Sequence, residues 1–173
     1  MHFKKSVLKN HLLYSIITLM AIAMLFPITA FAQAYVQTWD LVDSGKHLDY
    51  DGNSTYMSYI NTGAATWNAY KNGVYRKARA LFVDVVYERD VNASNGWAGM
   101  TYSSGKIELN TYYMSGYSNS KKQNVATHEL GHALGLDHST STDVMDAAIT
   151  GHTSTQALSQ NDKDSYDAAY NNY

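Results

Sequence analysis

Residues 128–138 read His128-Glu129-Leu130-Gly131-His132-Ala133-Leu134-Gly135-Leu136-Asp137-His138. Side chains four apart on a helix project from one face, so His128 and His132 can offer two imidazoles to a single ion with Glu129 beside them. A helix continuing past His132 would carry His138 away. Gly135 can adopt a left-handed conformation that stops the helix and turns the chain back, bringing the third imidazole to the same point. The spacing therefore predicts a helix over about 120–134, with Ala126, Leu130, Ala133 and Leu134 facing away from the histidines.

Three nitrogen ligands leave one position of a tetrahedral zinc ion open, which separates a catalytic site from a closed structural one. Zinc lowers the pKa of a water to about 7, and Glu129, adjacent and not needed as a ligand, is placed to take the proton. The reading is one Zn2+ held by His128, His132 and His138, with Glu129 as general base.

The pattern His-Glu-x-x-His-x-x-Gly-x-x-His is similar to the long zinc signature of the metzincin metalloendopeptidases, and Ser139 after it resembles the matrixin branch. Two further stretches carry the resemblance. Residues 139–146 contain Met145 at a distance suited to the methionine turn that metzincins place beneath their histidines, and Leu158-Ser159-Gln160-Asn161-Asp162 resembles the opening of a matrixin C-terminal helix. The astacin-like and serralysin-like branches carry a tyrosine two residues after that methionine; here it is Ala147.

The resemblance implies an α+β, metzincin-like zincin fold: a twisted mixed sheet, a long active-site helix, a second packing helix and a C-terminal helix. Its activity would be zinc-dependent endopeptidase chemistry on protein or peptide substrates, with Gly135 and Met145 as structural support. Segment 97–102 would form the sheet edge along which an extended peptide lies. The chain also departs from the matrixin pattern. It has no propeptide cysteine to block the zinc, no His- and Asp-rich loop for a second zinc before Asn110, and Asp146-Ala147-Ala148-Ile149 where a proline and tyrosine usually wall the specificity pocket. Two other functions use similar residues: a catalytically weak zinc-bearing binding or inhibitor protein, and an amidase acting on cell-wall peptides.

At the amino terminus Lys4, Lys5 and Lys9 precede an apolar run over residues 12–26, then Pro27 and the small-residue pattern Ala30-Phe31-Ala32. A run of that length is short against the ~20 residues that span a bilayer, so residues 1–32 read as a secretory signal peptide and 33–173 as one secreted, extracellular domain. Cleavage removes three lysines and no acid, leaving ten basic against fifteen acidic side chains. That balance opposes nucleic acid or an anionic membrane as partner. With no cysteine in the chain the exported domain must rely on its core, which roughly 140 residues suffice to build. A monomer is expected.

Outside the signature, residues 36–42 read as a first strand and Asp49-Tyr50-Asp51-Gly52-Asn53 as a turn. Met57, Ile60, Ala64 and Trp67 recur at helical spacing behind Ser54 and Thr55 as caps. Residues 80–87 and 106–110 alternate as strands do, and 92–99 reads as loop. The tail predicts a helix over 159–170, capped by Ser159 with Asp162 and burying Tyr166, Ala169 and Tyr170. Asp49, Asp51 and Asn53 could hold Ca2+, although an ordinary turn is favoured without a distal glutamate. His47 and His152 read as surface histidines outside the site.

Overall fold

The computed structural model describes residues 33–78 and 86–173; the signal peptide expected at 1–32 and the first part of the strand expected at 80–87 lie outside them. The described strands are β1 (Leu48–Gly52), β2 (Tyr75–Lys77), β3 (Val86–Val91), β4 (Gly99–Tyr102) and β5 (Lys106–Asn110). They form one sheet in the order β2-β1-β3-β5-β4, parallel except for β4, which runs antiparallel to β5 at the edge. The helices are α1 (Met57–Tyr70), the short α2 (Thr111–Met114), α3 (Asn119–Ala133) and α4 (Gln160–Tyr170). This is the α+β arrangement expected, a mixed sheet with a long helix bearing the histidines.

Two segments are placed otherwise than expected, and for related reasons. Asp49-Tyr50-Asp51-Gly52 is not a turn but the strand β1. Strand geometry sends Leu48 (0% exposed) and Tyr50 (6%) into the core, while Asp49 on the opposite face is held bidentately by Arg76 of the neighbouring strand, Nε to Oδ1 at 2.9 Å and Nη2 to Oδ2 at 2.7 Å. Asp49 and Arg76 stand directly opposite in register, so the charge that reads as a strand breaker is neutralised across the ladder. Residues 36–42, expected as the first strand, stay outside the sheet. Their amides instead serve the end of α3: Gln37 N donates to Gly135 O at 2.7 Å and Leu41 N to Ala133 O at 2.9 Å. Carbonyls at a helix end have no partner within the helix, and this segment supplies two.

Helix α1 forms where its apolar period predicts, burying Ile60, Ala64 and Trp67. Ser54 and Thr55 do not cap it through side chains in the usual way. The Ser54 and Thr55 hydroxyls and the Thr55 amide donate to the carboxylate of Asp90, tying the helix entrance to β3. Helix α4 does carry its expected capping box between Ser159 and Asp162. The loop expected to run through Gly99 ends one residue earlier, because Gly99 pairs with Leu109 of β5.

Between the sheet and the helices lies a core of Leu48, Ile60, Trp67, Ile107, Leu109, Leu130, Leu134, Met145 and Tyr166. The Trp67 and Tyr166 rings meet edge to face, centroids 5.6 Å apart, and the indole N–H donates to Thr127 O at 2.9 Å. Helix α1 is thus packed on the apolar side of α3 and carries the Tyr166 ring of the tail helix against its Trp67. The other side of α3 is left for chemistry.

Candidate metal centre

His128 and His132 project from α3 one turn apart, as their spacing requires. After Ala133 the chain leaves the helix through Gly135 at φ +84°, where a residue with a Cβ would be strained. Gly135 N donates to His132 O at 2.9 Å and Leu136 N to Gly131 O at 3.1 Å, the bond pair that closes a helix into a left-handed turn. His138 then returns to the other two. The three rings have centroids 4.7, 5.2 and 4.8 Å apart, and one nitrogen from each lies within 4.8 Å of the others. Among the described residues no other group of three His, Cys, Asp or Glu side chains converges in this way.

The ring orientations fit a metal ion. His128 Nδ1 faces Val144 O at 2.8 Å and His132 Nδ1 faces Leu136 O at 2.9 Å. Carbonyls only accept, so both Nδ1 atoms carry hydrogen and each Nε2 keeps a lone pair. His132 Nε2 and His138 Nε2 are 3.2 Å apart, near the roughly 3.3 Å expected of two nitrogens sharing a tetrahedral zinc. Burial, reinforced by the neighbouring imidazoles, pushes His128 down to about 3 and His132 to about 4, so both are neutral, as ligands must be.

Glu129 lies beside them, 5% exposed, in a cavity of about 450 Å3 that the three histidines also line. Burial pushes its carboxyl up to about 7 against the opposing hydrogen bonds from Thr101. Thr101 Oγ1 lies 2.8 Å from both Glu129 Oε2 and the Glu129 main-chain oxygen, so the hydroxyl of β4 orients the carboxylate against the sheet edge. Beneath the site Met145 is 1% exposed. A Cβ on Gly131 would lie 2.2 Å from its Sδ and 2.9 Å from Trp67 Cζ2, so glycine is what lets Met145 reach the helix backbone. Asp162 pins the same turn. Beyond capping α4 it accepts from Val144 N at 2.9 Å and Met145 N at 3.1 Å, and Val144 O is the partner of His128.

The structure thus brings His128, Glu129, His132, His138 and Met145 together around the exit at Gly135, and adds Thr101, Asp162 and Gln37, which the sequence reading missed as parts of the site. Gln37 lies with its amide nitrogen 2.9 Å from His132 Nδ1. Only Asp162 had a signal in the sequence, and that signal was for capping. His152 hydrogen-bonds Asp146 at 2.8 Å, and His47 Nδ1 lies 3.7 Å from Asp43; neither reaches the cluster. No helix among the described residues is long and apolar enough to cross a membrane.

Comparison with known proteins agrees with this arrangement. No curated protein matches the chain. The sequence model of the matrixins, peptidase family M10, matches residues 29–171, a span that contains the sheet, all four helices, the three histidines and the methionine turn. Convergent imidazoles on and just beyond α3, the left-handed exit at Gly135 and the match over most of the length have one common account: the chain belongs to the matrixin family, metallopeptidases that use zinc to act on proteins and peptides.

Proposed function

We propose that residues 33–173, exported after removal of a signal peptide at 1–32, form a secreted, monomeric, zinc-dependent endopeptidase. One zinc is held by His128, His132 and His138, and Glu129 is the general base. The observation that carries this reading is the conjunction of three convergent imidazoles with a buried carboxyl on the same cavity wall.

When bound, the ion supplies Lewis acidity toward a water and toward the scissile carbonyl. The protein supplies the rest. His128 and His132, held through Nδ1 by Val144 O and Leu136 O, keep their Nε2 atoms fixed on one point. Glu129, held by Thr101, takes the proton of the attacking water at a carboxylate oxygen and delivers it to the departing amine. Gly99, Met100 and Thr101 line the same cavity, and β4 is the edge of the sheet. A substrate in extended form can therefore pair with the free side of β4 through backbone bonds common to all peptides, while its side chains enter the cavity.

The test is peptide cleavage by wild type and Glu129→Ala at matched zinc content. The variant is expected to keep its zinc and turn over about a hundred- to ten-thousandfold more slowly. Near-normal turnover would require a different base, and loss of zinc with the fold intact would make Glu129 a ligand. Digestion of a denatured protein beside purified cell wall separates endopeptidase from wall amidase by which of the two releases fragments.

A further inference from the structure

We propose that Gln37 is a positioning residue of the metal centre, its side-chain carbonyl sharing the one Nδ1 hydrogen of His132 with Leu136 O and fixing that ring toward the ion. The inference rests on the proposed role of His132 as a zinc ligand. The Gln37 amide group lies 2.9 Å from His132 Nδ1, and the same nitrogen lies 2.9 Å from Leu136 O. Because Leu136 O can only accept, Nδ1 carries a hydrogen. An amide N–H facing it would set donor against donor. The oxygen and nitrogen of a glutamine amide exchange places by a half-turn of the group, and here the oxygen must face the ring. The turn breaks no hydrogen bond of the oxygen, since Gln37 Oε1 in its other place is buried without a partner.

The backbone delivers Gln37 to this position. Residues 35–37 run antiparallel to 135–137, with Gln37 N donating to Gly135 O at 2.7 Å, Asp137 N to Tyr35 O at 2.9 Å, and Val36 bridging Leu136. The turn that returns His138 to the site is therefore the same one that grips Gln37. One segment, 95 residues upstream of His132, braces two of the three candidate ligands. It holds His132 through a side chain and His138 through the backbone before it. Hydrogen bonds to the outer nitrogen of a metal-bound imidazole set its tautomer, orientation and basicity, and losing one weakens metal binding by about ten- to a hundredfold.

The experiment measures zinc affinity by competition with a chromophoric chelator, and the visible spectrum of the cobalt-substituted protein, for wild type, Gln37→Leu, Gln37→Glu and His132→Ala. Circular dichroism melting of each metal-free protein monitors the fold. Gln37→Leu fills similar space but cannot accept, and should bind zinc about ten- to a hundredfold more weakly with a shifted cobalt spectrum. Gln37→Glu keeps an acceptor and should bind at least as tightly as wild type. Zinc affinity in Gln37→Leu equal to wild type, or Gln37→Glu as weak as Gln37→Leu, overturns the proposal. If His132→Ala loses zinc while Gln37→Leu does not, only the bracing role falls. If His132→Ala binds as tightly as wild type, the ligand assignment fails and the role of Gln37 with it.

Discussion

Glu88, in the middle of β3, should make the protein lose stability as pH rises, and Glu88→Gln should abolish that loss. The side chain is 0% exposed, and its two carboxyl oxygens find no partner beyond the residue's own amide. Burial, with Asp51 adding to it against the pull of that amide and of Lys77, pushes the carboxyl from 4.5 up to about 9. The sign follows from proton counting. Between those two values the folded protein keeps a proton that the unfolded chain has released, so raising the pH favours unfolding by about 1.4 kcal/mol per pH unit. From pH 5 to pH 8 this comes to about 4 kcal/mol, a large part of the roughly 5–15 kcal/mol by which domains are stable. Glutamine has nearly the same shape and no ionisation. The assay is urea unfolding of the metal-free wild type and Glu88→Gln at both pH values. The histidines and Glu129 titrate in both proteins and cancel in the difference. Glu88→Gln is expected to gain on wild type by about 4 kcal/mol between the two conditions. A difference that stays constant to within about 1 kcal/mol would refute the account, because Glu88 would then be ionised and satisfied in the folded state.

Three further outcomes are expected. Thr101→Val removes the hydroxyl that orients Glu129 and should lower kcat about tenfold, the equivalent of one hydrogen bond of about 1.4 kcal/mol, at unchanged zinc content; Thr101→Ser should restore it, and equal kinetics for all three would sink the role. Gly131→Ala adds a Cβ 2.2 Å from Met145 Sδ, so overpacking of about 1–3 kcal/mol should outweigh the ~1 kcal/mol that alanine gains in a helix, and a raised melting temperature would contradict this. Gly135→Val forces a side chain onto φ +84° beside Asp40, at about 1–2 kcal/mol, and should weaken zinc affinity more than it lowers the melting temperature of the metal-free protein; unchanged affinity would show that the strain does not reach His138.

Glu88 and the two misplaced segments share a cause. Whether Asp49-Tyr50-Asp51 turns or extends depends on Arg76, which lies 27 positions away and neutralises Asp49 only once β1 and β2 have paired. Residues 36–42 have the composition of a strand, yet their partners are the carbonyls left free at the end of α3. Composition cannot choose between a sheet ladder and a helix end. Thr101, Gln37 and Asp162 were invisible as parts of the site for the same reason: each acts through a contact spanning 17 to 95 positions, and nothing near them in the chain marks the partner.

What could be read from the chain alone is what depends on neighbours within a turn or two. The four-residue step of His128 and His132, the need for a left-handed residue at Gly135, the apolar period of α1 and the capping of α4 by Ser159 and Asp162 all rest on local geometry, and each stands in the fold. The proposed signal peptide is a reading of residues 1–32 by themselves, which lie outside the described residues. Tertiary structure decided which segments pair, which carboxyls are buried, and which distant side chains hold the histidines and Glu129 in place. Those outcomes are set by desolvation and by hydrogen bonds that exist only after remote segments meet, so no window of sequence contains them.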